Sequence, residues 1–141
     1  MSCCFYNCIG LTNLSGMTIP ASVTDMSSCF CQCTGLTTAP VIPVNVTDMS
    51  GCFQDCSSLT DAPVIPASVT DMSYCFYGCT SLTGTVTINA SITDSSKWTD
   101  AFKNVDASKI TTIYVPDAET KAKLLEKNTQ FSDSQVVWPV P

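Results

Sequence analysis

A repeated block of 23 residues constrains this chain more than any other feature of its sequence. Blocks 2, 3 and 4 begin at Met26, Met49 and Met72, and block 1 begins at Met1 and is two residues longer. All four share the frame M-S-x-C-F-x-x-C-x-x-L-T and end in V-T-D or I-T-D. A fixed period of this length is typical of solenoids and is too short for a propeller blade. We therefore expect each block to form one turn of a coil.

A single block is too small to fold alone, so the blocks must stabilise one another. Fixing the backbone costs about 1–2 kcal/mol per residue, and a block has only a few apolar side chains to offset it. Stacking buries both flat faces of a block and pairs its short strands. Equivalent side chains then lie above one another at about 4.8 Å, in ladders of Phe, Leu, Ile and Cys. In block 3 the apolar positions are Met49, Cys52, Phe53, Cys56, Leu59, Ile65 and Val69.

Local signals within a block predict short elements. Asp48 and its equivalents precede the Met-Ser-x-Cys-Phe segment, and each can cap a short helical or 3₁₀ turn. Residues 59–65 and 69–70 have the composition of strands. Pro63 and Pro66 keep any such strand short.

The tail, residues 95–141, departs from the frame and predicts a degenerate fifth repeat with a small α+β cap. Residues 110–115 predict a strand because they are rich in β-branched side chains. Residues 117–127 predict a helix that Asp117 caps and Asn128 ends. Residues 136–138 predict a last short strand. The apolar stripe of the helix is predicted to be Ala118, Ala122 and Leu125.

Two short segments of each block carry a family resemblance. Residues 65–70 read I-P-A-S-V-T, and residues 75–82 read C-F-Y-G-C-T-S-L. With Cys in place of the usual Ala, this pattern resembles the BspA-like (Treponema-type) leucine-rich repeats, in register over residues 1–94 and loosely beyond, at Trp98–Phe102 and Val105. The resemblance implies a leucine-rich-repeat solenoid on an extracellular or cell-surface protein that binds host or matrix proteins. We expect a right-handed coil of short strands and helical or 3₁₀ turns.

Composition restricts the chemistry open to the chain. It has no His and no Arg, so it lacks Ser–His and Cys–His pairs and the commonest metal ligand. Residues 1–96 carry six Asp and no Lys, which argues against binding nucleic acid. No apolar run approaches the roughly 18 residues of a membrane span. We expect no cofactor, no membrane insertion and no enzyme, with a Ser–Lys or carboxylate pair the only catalytic options.

Eight of the ten Cys form two columns, and we interpret them as small buried core residues. Disulfides between turns and a Cys₄ metal site are the alternatives. The columns are Cys4, Cys29, Cys52, Cys75 and Cys8, Cys33, Cys56, Cys79, with Cys3 and Cys31 outside them.

A column of like charges, Asp25, Asp48, Asp71 and Asp94, requires an offset. Adjacent carboxylates at about 5 Å repel by about 0.8 kcal/mol in water and by several times that near a protein surface. We expect N–H groups at the start of each turn to supply the offset. Calcium, held with oxygens of Thr24, Thr47 and Thr70, is the alternative.

Frame positions that vary between blocks are candidates for binding. Tyr offers a large contact area at low entropy cost, although these Tyr could simply cover the turn. The predicted binding residues are Tyr6, Tyr74, Tyr77, Gln54 and Asp55, with no metal site. We predict a non-enzymatic protein-binding or adhesion segment of a bacterial cell-surface protein. A structural spacer and a calcium-dependent carbohydrate binder are the alternatives.

Block 1 has neither a signal peptide nor a cap before it. We therefore expect a fragment of a longer secreted protein. We also expect its uncapped first block to drive end-to-end self-association.

Overall fold

A stack of phenyl rings runs through the computed structural model, which describes all residues from 1 to 141. The centroids of Phe5, Phe30, Phe53 and Phe76 are 5.3, 5.5 and 5.7 Å apart in turn, and their planes differ by at most 6°. Phe102 continues the stack at 5.4 Å. The predicted Phe ladder is thus confirmed. One cluster of 34 buried apolar residues extends from Ile19 to Val136, so the tail shares the core of the blocks.

Main-chain hydrogen bonds join equivalent positions of successive blocks. The N–H of Phe30 donates to the carbonyl of Cys52 at 2.9 Å, and the N–H of Phe53 donates to that of Cys75 at 2.9 Å. The N–H of Phe76 donates to Ala101 at 2.8 Å, across the boundary with the tail. Each block therefore donates its main-chain N–H groups to the block that follows it.

Three parallel strands form the only extended sheet, in the order β1 (Gly84–Thr87), β2 (Ile110–Tyr114) and β3 (Val136–Val137). The two strands predicted in the tail are confirmed, each one residue shorter than expected. The strand predicted over residues 59–65 is wrong. It is reduced to isolated bridges, Thr38 with Asp61 and Ile65 with Ile88, because Pro63 and Pro66 have no N–H to donate.

Short turns replace most of the predicted helical segments. Only Ser95–Trp98 and Ala107–Lys109 form 3₁₀ helices, capped by Asp94 and Asp106. In blocks 1 to 4 the third and seventh frame positions adopt positive φ, which ends any helix there because a left-handed residue cannot continue a right-handed helix. These residues, with their counterparts in the tail, are Cys3, Asn7, Ser28, Gln32, Gly51, Asp55, Tyr74, Gly78, Asp100 and Asn104.

The one α-helix, α1 (Ala118–Lys127), begins and ends as predicted. Asp117 caps it by accepting the N–H of Thr120 at 2.7 Å, and Asn128 follows its last residue. The predicted apolar stripe is wrong, because Thr120 and Leu124 are buried whereas Ala118 and Ala122 are exposed. The Thr120 hydroxyl accepts the buried N–H of Ile92 at 3.2 Å, which turns this face inward.

Side-chain amides complete the hydrogen bonds of the last turn. The buried Asn128 accepts the N–H of Phe102 at 3.0 Å and donates to the carbonyls of Trp98 and Leu124. Gln130 donates to the carbonyl of Phe102 at 2.8 Å. Gln135 donates to Ala107 and Ile110. These amides take the place that main-chain groups of a following block occupy elsewhere.

Candidate functional site

Two of the predicted binding residues, Tyr74 and Tyr77, lie side by side. Their ring centroids are 6.1 Å apart and their planes are inclined by 47°. Tyr74 is 41% exposed and Tyr77 is half-buried. Tyr6 is 51% exposed but lies three blocks away from Tyr77. The structure therefore gathers a tyrosine pair, Tyr74 and Tyr77, and leaves Tyr6 apart from it.

The turn of block 4 explains why the tyrosine pair forms. The N–H of Tyr77 donates to the carbonyl of Tyr74 at 3.2 Å, and the N–H of Tyr74 donates to Thr99 at 2.9 Å. Tyr74 has φ 57°, in the left-handed region that costs a bulky residue roughly 1–2 kcal/mol. Strain of this kind is concentrated at functional sites.

A cation and a carboxylate border the tyrosine pair. Lys103 Nζ lies 5.9 Å from the centroid of the Tyr77 ring and 3.1 Å from Asp100 Oδ2. The hydrogen bond from Lys103 to Asp100 raises the pKa of Lys103. Beyond them is a polar cavity of about 280 Å³ that Asp100 and Lys103 line together with Asn104. The pair thus combines aromatic area with groups of both charges.

Gln54 and Asp55, the other predicted binding residues, lie one block below Tyr77 and are half-buried. The N–H of Asp55 donates to the carbonyl of Tyr77 at 2.7 Å. The Asp55 carboxylate lies against Gly78, where a Cβ atom would overlap it. Gly78 therefore leaves room for this carboxylate beside the tyrosine pair.

The largest surface cavity of the chain was not predicted. We call it the proline groove, because two A-P-V-I-P segments, residues 39–43 and 62–66, form most of its walls. It measures about 380 Å³. Val41, Val44 and Val64 are 89%, 74% and 58% exposed there. The sequence signal was a Val between two buried positions, as in Pro63-Val64-Ile65. The lining residues are Ala39, Pro40, Val41, Ile42, Val44, Pro63, Val64, Pro66 and Asn89.

The Asp column acts through N–H and hydroxyl groups, as predicted. Asp25, Asp48, Asp71 and Asp94 each accept both the N–H and the hydroxyl of the Ser two residues later, at 2.6–3.0 Å. The Ser27 hydrogen bonds lower the pKa of Asp25. Burial opposes ionisation of Asp71, but bonds from Lys97 and Ser73 outweigh it and lower its pKa. No group of three or more Cys, Asp or Glu side chains is arranged to hold a metal ion.

Six column cysteines are buried, as predicted, but Cys4 and Cys8 are exposed because nothing covers that face of block 1. The thiols of Cys33, Cys56 and Cys79 donate to the carbonyls of Phe5, Phe30 and Phe53 at 3.0–3.1 Å. Burial raises the pKa of Cys56 to about 12, which keeps its thiol protonated. Cys31, which was placed outside the columns, is also buried, whereas Cys3 is exposed.

Comparison with known proteins identifies the repeat. None of the helices combines the length and the apolar character that a membrane crossing requires. No curated protein and no solved structure is significantly similar to the chain. The family model of the BspA type Leucine rich repeat region matches residues 1–134, in six copies, and this match implies a repeat solenoid. The chain therefore belongs to the BspA-type leucine-rich repeat family.

Proposed function

We propose that the chain is a non-enzymatic, protein-binding or adhesion segment of a bacterial cell-surface protein, with a host or matrix protein as its partner. Its family consists of repeat regions that are usually surface-associated, engage other proteins and are typically non-enzymatic. The observation that carries the proposal is the tyrosine pair, with its two partly exposed rings 6.1 Å apart. Tyr is enriched among residues that dominate protein interfaces.

We also propose the finer architecture that this function needs. The chain is a right-handed coil of 23-residue turns over residues 1–94, and residues 95–141 form a degenerate turn and a cap. The spacing of the Phe stack and the amide bonds of Asn128 support this proposal. Such a rod holds the tyrosine pair on a rigid support, which lowers the entropy cost of binding.

Capture of host extracellular proteins tests the proposed function. The immobilised chain is expected to retain a partner that the double variant Tyr74→Ala/Tyr77→Ala loses. Tyr6→Ala is the matched control, since Tyr6 is equally exposed and lies three blocks away. Equal capture by the wild type and the double variant would contradict the tyrosine pair as the site and favour the spacer alternative.

Self-association through block 1 is a second proposal. Tyr6, Ile9, Cys3, Cys4 and Cys8 are all exposed there. The main-chain carbonyls of Ser2, Cys4 and Tyr6 accept no hydrogen bond. Two such faces offer acceptors only, so apolar side chains must drive the pairing. Light scattering under reducing conditions should show a dimer that Ile9→Lys dissociates, and a monomer at high concentration would refute it.

A further inference from the structure

The proline groove places exceptional apolar surface in water. Val41 and Val44 are the two most exposed large hydrophobic side chains of the chain. They share one groove with Val64, and Val41 also borders a second cavity of about 210 Å³ beside Met17 and Pro43. Removing such a contiguous patch from water is a driving force for association.

Main-chain groups in the groove are free to pair with a ligand. The N–H groups of Val41 and Val64 donate no hydrogen bond within the chain. In block 4 the corresponding segment has no proline and forms β1, which pairs with β2. The prolines of blocks 2 and 3 thus leave extended backbone without a ladder. An extended peptide can satisfy such groups as an added strand does.

The groove is also rigid before it binds. Each wall contains two prolines, which fix φ near −65° and hold the residue before each of them extended. Pro40, Pro63 and Pro66 are themselves buried, which anchors the walls in the core. A ligand therefore meets a preformed surface and has little ordering of the groove to offset.

The charge around the groove selects the flanks of the ligand. Residues 1–96 contain six Asp and no Lys or Arg. Asp61, two residues before Pro63, is exposed and its carboxylate accepts only the Thr60 hydroxyl, at 2.8 Å. A second copy of the chain would bring the same negative region and is disfavoured, whereas a basic segment is attracted.

From these four features we infer that the proline groove binds an extended peptide segment of a partner protein, with aliphatic side chains flanked by Lys or Arg. The site is separate from the tyrosine pair, so either proposal can fail without the other. Valine side chains of the ligand enter between Val41 and Val64, its main chain accepts their N–H groups, and a basic flank faces Asp61.

Methyl NMR on the full chain tests the inference with two capped peptides. One is Lys-Lys-Val-Thr-Val-Lys-Lys, and the other has Glu in place of every Lys. The Lys peptide is expected to shift the methyl signals of Val41, Val44 and Val64 and to saturate below about 5 mM, in the range of weak binding. The Glu peptide is expected to leave them unchanged.

Variants separate the apolar and the charge contributions. Val41→Ser/Val64→Ser should weaken binding of the Lys peptide at least about tenfold, which is 1.4 kcal/mol. Asp61→Asn should weaken it and reduce its dependence on salt. Val137→Ser, an equally simple change of an exposed valine outside the groove, should have no effect. Unfolding curves verify that each variant folds, since all of these side chains are exposed.

Three results would overturn the inference. They are the absence of methyl shifts at saturating Lys peptide, equal binding of the Glu peptide, and unchanged affinity in the Val41→Ser/Val64→Ser variant.

Discussion

Replacing Asn128 with Ala should strongly destabilise the C-terminal end of the chain. The buried Asn128 side chain makes three hydrogen bonds, one accepted from Phe102 and two donated to Trp98 and Leu124. The carbonyl of Trp98 also accepts the N–H of Ala101, and that of Leu124 also accepts the N–H of Asn128 itself. Only the N–H of Phe102 would therefore be left without any partner.

This difference between the three groups sets the magnitude. A buried N–H left unpaired costs about 1–3 kcal/mol, and each of the two other bonds contributes about 0.5–1.5 kcal/mol. We expect Asn128→Ala to lower the free energy of unfolding by about 2–6 kcal/mol. Since domains of this size have about 5–15 kcal/mol in total, the loss should be evident in a simple unfolding curve.

Urea unfolding followed by circular dichroism measures this loss, with Asn13→Ala as the control. Asn13 is exposed and bonds only to its neighbours, so its removal should change stability by less than about 0.5 kcal/mol. Hydrogen exchange locates the effect, because the amide of Phe102 should exchange faster while that of Phe53 changes less. Equal urea midpoints for the two variants would refute the assigned role of Asn128.

Three further predictions concern strain, pH and thiols. Tyr74→Asn should leave the free energy of unfolding unchanged or raise it by up to about 1 kcal/mol, because Asn tolerates the φ of 57° that strains Tyr. A clear loss in thermal unfolding would contradict it. Stability should fall as the pH drops below the ordinary Asp value of 3.8, because Asp71 has a lowered pKa and must take up a proton in its folded environment. Asp71→Asn should make the melting temperature less dependent on pH, and an unchanged slope would count against this. Iodoacetamide should modify Cys3, Cys4 and Cys8 first, since the other seven thiols are buried. Mass spectrometry showing rapid modification of Cys52 or Cys75 in the folded chain would disprove that burial.

The sequence predicted best what arises within a block. The Phe stack follows from one frame position that returns every turn, and the Asp caps follow from a Ser that stands two residues later each time. Both depend on local geometry that each block repeats. The strand β2 and the helix α1 were also predicted, because strand composition and capping residues are local signals.

The misses arose where a distant partner decides the outcome. The buried face of α1 is set by the bond between Ile92 and Thr120, which no periodicity in the helix reveals. Cys4 follows the column pattern, yet it is exposed because burial depends on a neighbouring block and not on the residue itself. The proline groove was missed because its Val residues had been interpreted only as strand material, whereas the prolines stop the ladder that would have covered them.

The frame also explains where the candidate binding surfaces lie. Each block must supply a Phe for the stack, a Cys whose thiol donates to the carbonyl of the previous Phe, and an Asp that caps the turn. These positions are occupied by the needs of the coil, so they cannot vary without loss of stability. The third and seventh positions of each turn and the segment between the prolines carry no such duty. The tyrosine pair includes a third position and the proline groove lies at the link, so both surfaces use residues that the fold leaves free to change.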